Sequence, residues 1–195
     1  MRDLSLHILD IVQNSISAGA SVITIQIKQG LNNALLKNNL EITITDNGKG
    51  MDSELIKKAE DPFVTTRTSR KVGLGIPLIK ESAEMCNGEF KLNSQINRGT
   101  EVFAAFSIDH IDRLPLGDIG ETMLALISSN PGIQFMLLLS SKKGDFMLDT
   151  AQLAKSLEGI KITEYAVLNW LKEYVDNGIK NIFGGVLNEV DSRIG

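Results

Sequence analysis

The chain has 195 residues, a formal net charge of −4, 43% apolar residues and 23% charged residues. This balance is typical of a folded globular protein of one large domain, or of one domain with a small appendage. The acidic charge makes the chain a poor electrostatic match for DNA, and the single cysteine, Cys86, excludes an internal disulfide and a multi-cysteine zinc site. No apolar run is long enough to span a bilayer and the first residues do not resemble a signal peptide, so we expect a cytoplasmic protein without a membrane partner.

The first 110 residues are predicted to form helices and strands around one sheet. Apolar residues at helical spacing predict helices over 4–17, 53–59 and 75–87, and alternating residues predict strands over 21–29, 40–45, 89–94 and 100–107. The first two strands flank a turn-rich connection, which predicts an antiparallel pair. This order indicates an α+β fold, a two-layer α/β sandwich with helices on one face of a mixed or antiparallel sheet.

A polar segment at 109–118, with Pro115 and Gly117, is predicted to separate residues 1–110 from a small C-terminal α+β domain over 111–195. This second part is predicted to contain a helix at 121–128, a hairpin of strands 134–140 and 146–148, and helices at 150–157 and 163–177. It contains 8 basic and 11 acidic residues. We interpret it as a module that contacts another protein.

Asp10 and Asn14 are four residues apart in the first predicted helix and therefore lie on one face of it. A carboxylate and an amide oxygen presented together suit a hard cation such as Mg²⁺, which takes few of its ligands from protein. His7 lies on the same stripe, although a histidine in this position is more often structural. Taken alone, the pair is equally compatible with a solvated helix face.

Asp46-Asn47-Gly48-Lys49-Gly50 follows the second predicted strand. An Asn-Gly pair is a common turn signal, so a plain loop is one reading. The other reading is a base-binding pocket, in which Asp46 accepts a hydrogen bond from a base amine and the glycines let the backbone pass close to a flat ring.

Gly73-Leu74-Gly75 opens the helix predicted from residue 75. Glycines at a helix start leave backbone N–H groups free to face an anion, and the helix dipole adds to the attraction. The preceding loop supplies hydroxyls and cations beside this position: Thr65, Thr66, Arg67, Thr68, Ser69, Arg70 and Lys71. The alternative is an exposed basic loop without a ligand.

In this order, the motifs resemble those of the histidine-kinase-like ATPase superfamily, which has the Bergerat fold. Residues 10–20 resemble its N box, 46–51 its first glycine box, 61–67 the phenylalanine-containing box of sensor kinases, 72–76 the second glycine box and 98–102 the closing Gly-Thr strand. The resemblance covers residues 4–107.

The resemblance implies a role for each matched position. Asn14 would bind Mg²⁺, and Asp46 would hold the adenine amine of ATP in a pocket shaped by Gly48 and Gly50. Thr100 would support the base through water. Phosphate contacts would come from the ATP lid over 61–72 and from the second glycine box, with these residues: Thr65, Thr66, Arg67, Gly73, Leu74 and Gly75.

Two positions depart from the family pattern. Asp10 stands where hydrolysing members have glutamate, and it is one methylene shorter, so we expect at most slow hydrolysis with Asp10 as the catalytic base. Lys71-Val72 stands where sensor kinases favour Gly-Thr. Only thirteen residues precede Asn14, so no phosphoacceptor helix is expected within this sequence.

The sequence therefore predicts a regulatory protein that binds Mg-ATP and acts as a slow ATPase or as a protein kinase toward a separate partner. One alternative is a nucleotide-sensing switch or scaffold without turnover. Another is a DNA-associated regulator, because 150–177 faintly resembles a helix-turn-helix, but its last helix carries Lys172 against three acidic residues, and this charge disfavours nucleic acid.

Overall fold

A computed structural model of the chain describes residues 2–30, 38–60, 75–185 and 187. Within them the elements follow one another in this order: α1 (Leu4–Ser17), β1 (Val22–Gly30), β2 (Asn39–Asp46), α2 (Ser53–Ala59), α3 (Gly75–Met85), β3 (Glu89–Gln95), β4 (Gly99–Ser107), α4 (Ile119–Ser129), β5 (Gln134–Ser141), β6 (Gly144–Asp149), α5 (Thr150–Ser156) and α6 (Tyr165–Phe183). The α+β class predicted from the sequence is confirmed.

The described strands form one six-stranded sheet in the order β3-β4-β2-β1-β5-β6. β1 and β2 are antiparallel, as predicted from their flanking turn, and β4 continues the antiparallel pairing on the other side of β2. β5 lies parallel to β1, so the sheet is mixed.

The core lies between one face of this sheet and the helices. Alternate residues of β1 (Ile23, Ile25 and Ile27) are buried, and their neighbours are half-buried or exposed. Leu4, Ile8, Ile11, Val12 and Ser15 of α1 are buried. Each large apolar side chain removed from water in this way contributes about 1.5–3 kcal/mol.

Local signals fix the ends of α1, which carries much of the predicted site. Asp3 caps its start, since the side chain accepts a hydrogen bond from the backbone N–H of Leu6. Ala18 ends the helix, and Gly19 follows in the left-handed region at φ 77°. The observed bounds of α1 match the predicted ones.

The last described helix is longer than the sequence indicated, because α6 runs to Phe183 rather than to residue 177. Gly178 does not end the helix. A side chain there would place its Cβ 2.7 Å from the ring of Phe146, so the glycine lets the helix pass close to β6. The helix ends at Gly184 with φ 70°.

The sheet and the core both cross the boundary expected near residue 110. β5 and β6 extend the sheet beyond β1, and buried residues of both parts, such as Ile25 and Leu137, belong to one core cluster. The backbone N–H of Leu4 also donates to the carbonyl of Pro115, at 2.9 Å. The division into 1–110 and 111–195 stays a prediction about folding units, while the strands of the second part complete the sheet of the first.

Candidate functional site

Asp46 lies at the end of β2 and is buried, with 7% of its surface exposed. It shares the inward side of the strand with Ile42 and Ile44 because side chains alternate along a strand. Its Oδ1 accepts from the backbone N–H of Gly48 at 2.8 Å, and its Oδ2 accepts from Ser15 Oγ at 2.6 Å. A carboxylate has about four acceptor positions, so Asp46 is held in place and can still accept from a ligand amine.

Asn14 and Asp10 lie on α1, the helix whose Ser15 contacts this carboxylate, and both are half-buried. Neither side chain has a hydrogen-bond partner among the described residues. Two free oxygen-bearing side chains on adjacent turns fit a site that gives Mg²⁺ one or two protein ligands and leaves the rest to phosphate and water. In the described part of the chain, no three His, Cys, Asp or Glu residues form a metal-binding group.

Asp10 also lies against the start of α3. A Cβ built on Gly75, the first residue of α3, would be 2.8 Å from the Cβ of Asp10, so only glycine lets the two helices approach this closely. Burial raises the pKa of the Asp10 carboxyl, an effect partly offset by the positive chain terminus. A raised pKa makes the ionised carboxylate a stronger proton acceptor.

His7, one turn before Asp10, is 1% exposed. Neither of its ring nitrogens has a hydrogen-bond partner. Burial lowers its pKa from 6.5 to about 4, the nearby positive terminus adds to this, and Asp3 opposes it. His7 is therefore a neutral residue of the core at physiological pH, as expected from the sequence.

The loop after Asp46 is held in place by contacts that require glycine. Gly50 has φ 64°, and a Cβ there would lie 2.0 Å from the carbonyl oxygen of Gln95. Gly99 has φ 93°, and a Cβ there would lie 1.8 Å from the carbonyl oxygen of Asp46. A Cβ on Gly48 would lie 3.0 Å from that of Ala18, so Gly48 packs against the end of α1.

Thr100 lies directly opposite Asp46 in the pairing of β2 with β4. Its Oγ1 is 2.9 Å from Ser94 Oγ, which donates to the carbonyl of Gly99 and accepts from the N–H of Met51. Because a serine hydroxyl has one proton, Thr100 is the donor to Ser94. The oxygen of Thr100 therefore keeps acceptor positions free for a water molecule.

Three residues that support the site were missed by sequence reasoning. Ser15 and Ser94 hold Asp46 and Thr100, as described above. Asn47 accepts from the backbone N–H groups of Ser21 and Val22, both at 2.9 Å, and so ties the loop to the start of β1. No short motif identifies these contacts, since they depend on how α1, β1 and β3 pack around the loop.

Contacts at one end of the sheet thus join Asp46, Gly48, Gly50 and Thr100. Helix α1 contacts Asp46 through Ser15, and it also carries the predicted residues Asn14 and Asp10, the latter against Gly75. The remaining predicted contacts lie outside the described residues: Thr65, Thr66, Arg67, Gly73 and Leu74, with the rest of the predicted lid at 61–72. Their roles stay predictions.

A separate cavity of about 410 Å³ lies between the start of α4 and the second half of α6. Asp118 and Asp176 line it, but both carboxylates already contact Lys172, at 3.5 and 2.9 Å. This cavity contains none of the predicted site residues, so we place the candidate site at Asp46 on the strength of its chemistry.

Residues 2–110 match the sequence profile of the family described as histidine kinase-, DNA gyrase B- and HSP90-like ATPase. The match covers more than half of the chain, and the chain belongs to this family. In the described residues, no helix is both long and apolar enough to cross a membrane.

Curated relatives include bacterial sensor proteins. A putative sensor protein of Shewanella frigidimarina is 29% identical over 54% of this chain and 16% of its own length. A putative NtrY-like sensor histidine kinase of Rickettsia bellii is 31% identical over 43% of this chain and 15% of its own length. The chain thus spans a small part of the relatives that it matches.

Among solved structures, the ATPase domain of Aquifex aeolicus MutL complexed with ADP aligns with a TM-score of 0.46 and 16% identity. The alignment covers 81% of this chain and 68% of that one.

Proposed function

We propose that this chain binds ATP with Mg²⁺ in the crevice between α1 and the end of the sheet, and that it acts as a regulatory protein. The observation that carries the proposal is the buried Asp46 carboxylate, fixed by Gly48 and by Ser15 of α1, the helix that also carries Asp10 and Asn14. A fixed, buried acceptor suits the exocyclic amine of adenine, because a ligand without a donor there would leave a desolvated carboxylate unpaired.

The residues of α1 would serve the phosphate end of the nucleotide. The amide oxygen of Asn14 would bind Mg²⁺, which neutralises phosphate charge when bound. Asp10 would orient a water molecule or a partner hydroxyl and accept its proton, and its raised pKa supports this role. The start of α3 at Gly75 would direct backbone N–H groups toward phosphate.

We propose two outcomes for the bound nucleotide, slow hydrolysis or transfer of the γ-phosphoryl group to a separate protein. The relatives named as sensor histidine kinases support the second. The acceptor would come from a partner that contacts residues 111–195. A nucleotide-sensing switch without turnover is the remaining candidate, and the short Asp10 side chain favours it over fast hydrolysis.

A DNA-associated role gains no support from α5 and α6. These two helices carry three lysines, Lys155, Lys172 and Lys180, and Lys172 is already paired with Asp118 and Asp176, so few cations remain. Recognition of DNA requires cations that are free to contact phosphates.

The test uses γ-labelled ATP with the purified full chain, with and without cell extract. Labelled phosphate that is released by the wild type and lost in Asp10→Asn indicates an ATPase, and label on an extract protein indicates a kinase. Binding without either indicates a switch. Glu158→Gln, at an exposed position away from the site, is the matched control.

Binding itself is measured by melting. Mg-ATP at about a hundred times its dissociation constant raises stability by about 2.7 kcal/mol. This gain should disappear in Asp46→Asn. A wild type without any gain, or an equal gain in Asp46→Asn, would contradict the proposed site.

A further inference from the structure

The outer edge of β6 has free backbone hydrogen-bonding groups. β6 is the last strand of the described sheet, and a two-residue turn at Lys142 and Lys143 joins it to β5. In a hairpin of this kind, residues 144, 146 and 148 bond to the partner strand, and the residues between them face outward. Asp145 and Met147, which lie opposite Ser140 and Leu138, therefore direct their N–H and C=O groups away from the sheet.

An aromatic stack borders this edge on the helix side. The ring of Phe146 in β6 lies 4.8 Å from that of Tyr174 in α6, and Tyr174 stacks on Trp170 at 5.0 Å with ring planes 11° apart. Trp170 is 49% exposed. Partly exposed tryptophan and tyrosine side chains in one cluster are typical of the centre of a protein interface.

The other side of the same edge is acidic. Asp145 and Met147 both lie on the sheet face opposite the helices and are exposed. Asp145 has no ion pair among the described residues, and Glu173, next to the aromatic stack on α6, has none either. Lys142 and Lys143 lie in the turn, beyond the end of β6. A basic residue of a bound partner would therefore be stabilised most beside Asp145.

We propose that the outer edge of β6 binds an extended segment of a partner protein as an added strand. This edge, called here the β6–α6 groove, is flanked by Phe146, Trp170 and Tyr174 on the helix side and by Asp145 and Met147 on the other side. Apolar side chains of that segment would lie on the aromatic stack, and basic side chains on its other face would lie beside Asp145. This inference rests on the proposed role of residues 111–195 as an interaction module, and it specifies the surface and the chemistry of the partner.

The charges favour a different protein over a second copy of this chain. Two β6 strands paired antiparallel around Met147 would place Asp145 of each copy opposite Asp149 of the other. Like charges directly opposite each other destabilise a strand pair. A segment that alternates basic and apolar residues avoids this repulsion.

The test uses synthetic ten-residue peptides, acetylated and amidated, in which valine alternates with lysine or with glutamate. Trp170 is the single tryptophan of the chain, so its fluorescence reports binding at the groove. We expect the lysine peptide to change this fluorescence and to shift the amide NMR signals of Asp145 and Met147. N-methylation of alternate peptide amides should weaken binding about tenfold or more, because it removes strand hydrogen bonds.

The second part of the test reverses the charge at position 145. Asp145→Lys should weaken binding of the lysine peptide about fivefold, the expected size of a cross-strand charge effect, and should favour the glutamate peptide. Glu158→Lys, another exposed acidic residue, is the matched control and should change neither affinity. Both variants replace exposed side chains, so neither should impair folding.

Three results would overturn the proposal: no binding of the lysine peptide, equal binding of the N-methylated peptide, or equal binding of both charge types. A concentration-dependent dimer in sedimentation, with the Asp145 and Met147 amides protected in it, would assign the groove to a second copy. The Mg-ATP melting shift is measured on the same samples. A lack of peptide binding is thereby distinguished from a lack of nucleotide binding.

Discussion

Burial shifts the pKa values of two residues of α1 in opposite directions. Burial lowers the pKa of His7 to about 4 and raises the pKa of Asp10. In both cases the uncharged form is favoured, because the charged form loses water. The helix thus carries a half-buried carboxyl and, one turn away, a neutral imidazole.

The shift of His7 predicts how stability depends on pH. The unfolded chain binds a proton near pH 6.5 and the folded chain only near pH 4, so stability is lost as the pH falls through this interval, by roughly 3 kcal/mol in total. His7→Leu should remove this loss and should also increase stability at pH 7, since it removes two unpaired nitrogens. Urea unfolding at several values between pH 7 and 4 measures both effects.

Asp10 contributes the opposite slope, because a raised carboxyl pKa makes the folded state more stable as the pH falls. Comparing His7→Leu with the wild type cancels this contribution. His110→Leu, at a half-buried position where the ring accepts from the N–H of Asp112, is the matched control. An acid dependence identical in the wild type and His7→Leu would contradict the account of His7.

At this scale, candidate residues of the site could be predicted from the sequence, and the residues that support them could not. Asp46 and Asn14 are candidates because their motifs are local. Ser15 was missed as a partner of Asp46, since the two are 31 residues apart and meet only when α1 packs on β2. Ser94 depends in the same way on the register between β3 and β4.

The loops between elements are fixed by a few backbone contacts. The N–H of Asn97 donates to the carbonyl of Lys49 at 2.7 Å, which holds the turn between β3 and β4 against the loop after β2. Gly50 lies within this contact. Gly50 therefore has a structural role: it lets these two loops pack together.

This packing predicts the effect of a methyl group at Gly50. Gly50→Ala should cost more than about 2 kcal/mol, because it combines a left-handed backbone with overlap against Gln95. Gly159→Ala is the matched control: Gly159 has φ 98° but open space around it, so it carries the backbone cost alone. Equal losses in chemical unfolding would contradict the described contact between the loops.

Element boundaries were predictable where the signal is local. Asp3 and Gly19 bracket α1, and its bounds were predicted correctly. The end of α6 was predicted wrongly because Gly178 resembles a stop signal. Gly178 instead leaves room for the ring of Phe146 in β6, and the sequence does not reveal this contact.

The whole molecule depends on the insertion of β5 beside β1. The alternation of β1 predicted a strand with one buried face, but the pattern of a strand does not specify its neighbours. The strands predicted at 134–140 and 146–148 were accordingly assigned to a separate small domain. Their pairing with β1 gives the site and the proposed β6–α6 groove a common sheet.

This arrangement predicts the behaviour of a shortened chain. Residues 1–110 alone would expose the Val22–Lys28 edge of β1, which pairs with Gln134–Ser140 of β5, and would uncover buried residues that contact β5. We expect this fragment to melt at a lower temperature than the full chain and to aggregate, as unpaired strand edges do. A fragment as stable and monomeric as the full chain would support the predicted separate domains.

The central claim is that Asp46 holds the amine of an adenine base. Calorimetric titration with ATP and with inosine triphosphate tests it most directly, because inosine has an oxygen where adenine has the amine. The account predicts that ATP binds at least about tenfold more tightly in the wild type, and that Asp46→Asn largely abolishes this preference. Equal affinities for the two nucleotides in the wild type would contradict it.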